Sequence, residues 1–97
     1  MATDLPQKVI DQMAKAGLPT SGAHPFKPRL TVNKAGKQII DKQPVRRGPK
    51  RGKVGYVDEQ GRIWVKDRAH AGTPDHWDVQ IAGGDDYFRV DQDGNAI

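Results

Sequence analysis

Leu5, Val9, Ile10, Met13 and Ala16 recur at helical spacing near the start of the chain. Asp4 precedes them, Pro6 sits in the first turn and Gly17 follows the last, which are ordinary start and stop signals. The pattern predicts a helix over 5–16, and a packing helix with a single apolar stripe accounts for it. From Val54 the period shortens to two. Val54-Gly55-Tyr56-Val57 and Arg62-Ile63-Trp64-Val65-Lys66 flank the turn Asp58-Glu59-Gln60-Gly61, a hairpin signature. Trp77-Asp78-Val79-Gln80-Ile81 alternates, Gly83-Gly84-Asp85-Asp86 turns, and Tyr87-Phe88-Arg89-Val90 follows. Asp91-Gln92-Asp93-Gly94 turns once more before Asn95-Ala96-Ile97. Four or five short antiparallel strands so joined make a meander curved around one small core.

The segment between helix and meander reads differently. Residues 17–36 carry Pro19, Pro25 and Pro28 among Ser, Gly and Asn, which predicts an extended loop. Lys37-Gln38-Ile39-Ile40 fits a short strand. The next stretch, DKQPVRRGPKRGK, places Lys42, Arg46, Arg47, Lys50, Arg51 and Lys53 among Pro44, Pro49, Gly48 and Gly52. The prolines and glycines exclude a regular helix, so a flexible cationic loop is expected. The fold class is α+β, with an N-terminal helix and proline-rich segment over 1–36 and a β-rich core over 37–97.

Composition narrows this picture. Ninety-seven residues, 35% hydrophobic and 29% charged, with eleven Gly and seven Pro, suit a thin-cored, loop-rich domain. No cysteine is present, which removes disulfides, thiolate nucleophiles and thiolate metal ligands. No apolar run approaches the ~18 residues of a membrane span, and Met1-Ala2-Thr3-Asp4 lacks the basic start of a signal peptide. The net charge of +4 hides an asymmetry: residues 1–53 carry +9 and residues 54–97 carry −5. The first half has the character of a hook for a polyanion.

The acidic half holds the candidate chemistry. KDRAHAGTPDHWDVQ, residues 66–80, contains two of three histidines, three aspartates and a lysine. Alternate strand residues share a face, so if Trp77, Val79 and Ile81 enter the core, His76, Asp78 and Gln80 are displayed on the other side. Lys66, Asp67 and His70 lie on the strand end and connection leading there. Metal binding by His70, His76 and Asp78 is a legitimate ligand set, although the tight spacings of common metal motifs are absent. Nucleophilic catalysis would have to use Ser21, remote in sequence, or Thr73. Metal-free cleavage of RNA needs only a base, an acid and a cation, because the substrate's own 2′-OH is the nucleophile. Histidine suits either proton-transfer role near neutrality, Asp75 or Asp78 can orient one, and Lys66 or Arg68 can stabilise the phosphorane. The plainer reading is a set of solvated polar residues over core tryptophans. The cationic stretch 42–53 favours the ribonuclease.

Gly61-Arg62-Ile63-Trp64, Asp67-Arg68-Ala69-His70 as a D-x-x-H, the Gly-Gly/Asp turn, and Phe88-Arg89-Val90-Asp91-Gln92-Asp93-Gly94-Asn95 together resemble a family. It is that of the cytotoxic C-terminal domains of rRNA-cleaving colicins and related tips of bacterial polymorphic and contact-dependent inhibition toxins. HWDVQ is similar to a motif of such tips. The resemblance covers roughly residues 53–97. It implies a small, highly twisted antiparallel sheet behind an N-terminal helix, and a cofactor-free, metal-independent endoribonuclease. The implied target is the decoding region of 16S rRNA in the ribosome, cut to a 2′,3′-cyclic phosphate. Also implied are an acidic immunity protein as partner, a monomeric toxin, and delivery as the secreted tip of a larger protein into the target-cell cytoplasm. Asp67 and His70 match the family's catalytic Asp and His. Its glutamate, four residues after that His, is replaced by Pro74 with Asp75 next, which leaves His76 or Asp78 to act as base. The expected catalytic set is therefore His70, His76, Asp67, Asp78 and Lys66. The expected RNA-binding set is Lys42, Arg46, Arg47, Lys50, Arg51, Lys53, Arg62 and Arg68. A tRNA-cleaving toxin, a non-catalytic RNA- or ribosome-binding module and a metal-dependent DNA nuclease are the alternatives.

Overall fold

The computed structural model describes residues 5–48, 51–67, 75–81 and 86–97. Helix α1 (Gln7–Ala16) starts at Pro6 and ends at Gly17, whose φ of 76° gives the left-handed cap that the backbone N–H needs to reach Ala14 O. Val9 and Met13 are its buried pair. The remaining elements are β1 (Leu30–Val32), β2 (Gln38–Ile40), β3 (Lys42–Pro44), β4 (Val54–Val57), β5 (Ile63–Asp67), β6 (His76–Gln80) and β7 (Tyr87–Asp91). They form a two-stranded antiparallel sheet, β1-β2, and a five-stranded one in the order β3-β4-β5-β6-β7. The α+β class and the antiparallel meander agree with expectation. No described helix is long and apolar enough to cross a membrane.

Two strands lie where loops are expected. β1 interrupts the proline-rich stretch: Asn33 turns the chain by accepting the Ala35 and Lys37 N–H groups on its side chain, which returns β2 against β1. β3 interrupts the cationic stretch, which is a hairpin arm rather than an irregular loop. Val45 N–H donates to Lys53 O and Gly52 N–H to Val45 O, so the pairing continues beyond the strands. β3 is an edge strand, where proline costs no ladder bond on its open side; Pro44 is therefore compatible with it. The predicted final strand over Asn95–Ile97 reduces to one bridge, Val90 to Ala96.

Helix and sheet share one core. Val9, Met13, Leu18 and Phe26 pack with Ile40, Trp64, Trp77, Val79 and Val90. Phe26 meets Trp64 edge-on, with ring centroids 5.2 Å apart, an arrangement aromatic pairs favour. The polar ends of both tryptophans are also fixed. Trp77 Nε1 donates to Gly17 O, and Trp64 Nε1 donates to the buried Asp58 carboxylate.

The opposite face of the large sheet is covered too. Val45, Val57 and Val65 are buried yet lie outside that cluster, and residues of β3 and β6 line one cleft although two strands separate them. The sheet is thus curled, with a helix-packed face and a concave face. β6 is sandwiched between them, and all five of its residues are buried.

Candidate active site

Register builds the site. In antiparallel pairs, residues directly opposite one another share a face. Asp67 pairs with His76 and His76 with Asp91; Val65 pairs with Asp78 and Asp78 with Arg89; Ile63 pairs with Gln80 and Gln80 with Tyr87. The concave face therefore carries three rows across β5, β6 and β7, and their polar members are Asp67, His76, Asp78, Gln80, Tyr87, Arg89 and Asp91. Asp91 is spent on its own turn, accepting the Asp93 and Asn95 N–H groups.

The separation of His76, Asp78 and Gln80 from Trp77 and Val79 follows the alternation in the sequence. Their expected display to solvent does not. His76 is 2% exposed, Asp78 1% and Gln80 5%, because the curl closes over this face. Ile81, expected in the core, is exposed just past the strand, since the pairing that would turn it inward ends at Gln80.

Across the first two rows, His76 Nε2 lies 3.3 Å from Asp67 Oδ2 and 3.6 Å from Asp78 Oδ1, and Arg89 Nε lies 3.6 Å from the same Asp78 oxygen. Asp67 and Arg89 are the members that reach solvent, with 27% and 51% of their side chains exposed. The arrangement is an imidazole held between two carboxylates, with an arginine beside the deeper one. Its chemical capacities follow from those groups. Asp67 can accept a proton from an incoming molecule, an imidazole behind it can hold it in place, and Arg89 can neutralise developing negative charge. One ligand atom from each of Asp67, His76 and Asp78 falls within 4.8 Å of the others, so the trio could also clasp a divalent ion.

The expected residues divide accordingly. Asp67, His76 and Asp78 come together. Lys66 does not join them: it pairs across with Trp77, stands 5.8 Å over that indole, and donates from Nζ to Ala16 O at the helix end. One step along β5 puts it on the helix-packed face. Arg62 is likewise engaged elsewhere, 2.7 Å from Asp58 Oδ2 and over the Phe88 ring. His70, Arg68 and Lys50 lie outside the described residues.

Of the arm cations, Lys42 stands over the Tyr56 ring on the helix-packed side, while Arg51 and Lys53 are exposed. Arg46 and Arg47 turn to the concave side, where with Arg29, Gln43, Ile63 and Gln80 they line a cleft of about 380 Å³. Arg29 is held there by Asp41, which accepts from its Nε at 3.2 Å and Nη2 at 3.0 Å. Four strand steps separate Gln80 from His76, roughly 13 Å at the usual rise, so cleft and cluster are two ends of one polar row. Arg89 and Arg29 are the residues sequence reasoning missed. Arg89 was recoverable, since placing Phe88 and Val90 inward puts it on the His76 face. Arg29 had no comparable signal, because the small sheet brings it there from far along the chain.

No protein-family model matches the chain, and neither do any curated proteins or solved structures.

Proposed function

We propose that this chain is a metal-independent endoribonuclease of the bacterial toxin type, cutting RNA by transesterification through the 2′-OH. One observation carries the reading: strand β6 places His76, Asp78 and Gln80 where the fold alone would favour apolar side chains. Burying such groups costs several kcal/mol unless partners offset it, and departures of this kind concentrate at functional sites. The cluster meets solvent at Asp67 and Arg89, and Gln80, at the far end of the same strand, lines a cleft with three arginines.

In the proposed reaction, Asp67 takes the 2′-OH proton. His76, set 3.3 Å behind it, positions the carboxylate, and Asp78 holds His76 from the other side. The freed 2′-oxygen attacks phosphorus, and the bond to the 5′-oxygen breaks. That oxygen leaves with a proton from His70, three residues beyond Asp67, and a 2′,3′-cyclic phosphate remains. Arg89 stabilises the phosphorane in the role expected of Lys66. The ribosomal decoding region is the proposed target, and an acidic immunity protein the proposed cellular partner, by the resemblance of residues 53–97 to the colicin ribonuclease domains. The colicin-type fold is part of the same proposal.

A metal-dependent nuclease has one observation in its favour, the compact Asp67–His76–Asp78 ligand set. Incubation with intact ribosomes, bulk tRNA and duplex DNA in excess EDTA separates the readings. The proposal expects rRNA fragments ending in cyclic phosphate, with intact DNA. RNA left whole under EDTA but cut after adding a divalent ion would overturn it, as would cleavage of DNA. Fragments from tRNA alone would keep the chemistry and replace the target.

A further inference from the structure

We propose that the cleft between the arm and the end of β6 is a subsite for one unpaired nucleotide of the RNA strand, flanking the bond that is cut. The inference rests on the ribonuclease reading for its substrate class, but it concerns recognition and makes its own claim.

The three arginines differ in their engagement. Arg29 is fixed by Asp41, and Asp41 is itself held by Gln43 Nε2 at 3.3 Å. Arg46 and Arg47 are exposed and form no ion pair among the described residues. Two guanidinium groups that meet no described carboxylate, on the rim of a concave site, form a recognition element for a phosphate. The floor has another character: Ile63, Pro44 and Ile81 supply apolar surface between the arginine rim and Gln80. An anion-binding rim over an apolar floor with amides at its edge suits a phosphate carrying a base. A free inorganic anion would leave the floor wet, and an acidic peptide would have nothing flat to lay on it.

A volume of about 380 Å³ lies at the small end of ligand pockets, enough for one nucleotide but not for a base pair. A base can enter only by leaving its stack, which is how proteins read single-stranded RNA. The direction of the polar row then sets the order along the substrate: the base sits at Gln80, and the strand runs toward Asp67.

The test is binding without cleavage, by fluorescence anisotropy in EDTA. The probes are a 2′-O-methyl oligonucleotide that cannot be cut, its duplex, and poly-glutamate. The single strand should bind tightest. Replacing both Arg46→Ala and Arg47→Ala should weaken it about tenfold at moderate salt and make the log–log salt slope shallower by roughly 1.4, for two lost phosphate contacts on a single strand. Ile81→Ala should weaken single-strand binding with the slope unchanged, which separates base contact from charge. Equal binding of duplex or poly-glutamate, or binding indifferent to the arginine pair, would overturn the subsite. Tight single-strand binding by a chain that cuts no RNA would retain the subsite and remove the ribonuclease, so the two failures are distinguishable.

Discussion

Removing the Asp58 carboxylate would strip partners from two side chains at once. Its oxygens accept Trp64 Nε1 at 2.9 Å, Arg62 Nε at 2.7 Å, and the Gln60 and Arg62 backbone N–H groups. Asp58→Ala leaves a buried indole N–H and a half-buried guanidinium unmatched, and should lower stability by about 3 kcal/mol. A urea midpoint shifted down at unchanged slope is the expected result. Asp58 lies at the β4–β5 turn, so RNA binding in the cleft should survive in the folded fraction. At this scale the alternation of HWDVQ correctly separated His76, Asp78 and Gln80 from Trp77 and Val79. What it could not convey is solvation. A period of two sorts side chains between faces, and whether the second face is wet depends on a curl that brings distant strands together.

Elements were legible in proportion to how local their causes are. Helix α1 carries its stop signal beside it, and β4 to β7 alternate around their own turns. β1 and β3 have three residues each and lie in stretches whose prolines and glycines read as loop, and each is held mainly by its partner strand. The meander is also clamped by a loop that no pattern announces. His24 N–H donates to Gly94 O, and Gly94, with φ of 86°, passes so close to Ser21 that a Cβ there would strike its carbonyl oxygen. Gly94→Ala therefore combines a strained backbone with a steric conflict, and should cost about 2 kcal/mol or more. Thermal unfolding of the variant checks this; an unchanged midpoint would mean the 21–24 loop is not tied to the final turn.

For the whole molecule, charge and curvature act together. The basic first half contributes Arg29, Arg46 and Arg47, the acidic second half contributes Asp67 and Asp78, and the curled sheet puts both on its concave face. The charge asymmetry was visible in the chain, whereas the convergence on one concave face was not, because it depends on the arm folding as a hairpin. Diffusional capture of RNA should consequently be steered by the arm and fall steeply with ionic strength. Stopped-flow association rates should drop at least tenfold between about 50 and 200 mM salt. A flat dependence would remove the arm from substrate capture.

Asp67 is the carboxylate of the buried cluster that meets solvent, and Asp67→Asn changes its proton affinity with almost no change in shape. The most direct measurement is the single-turnover rate of cyclic-phosphate formation on ribosomal RNA in EDTA, for the wild-type chain and for this variant. Cleavage is expected from the first and a rate at least about 100-fold lower from the second, with both binding the uncleavable strand alike. Equal rates, or no cleavage by either, would refute the ribonuclease.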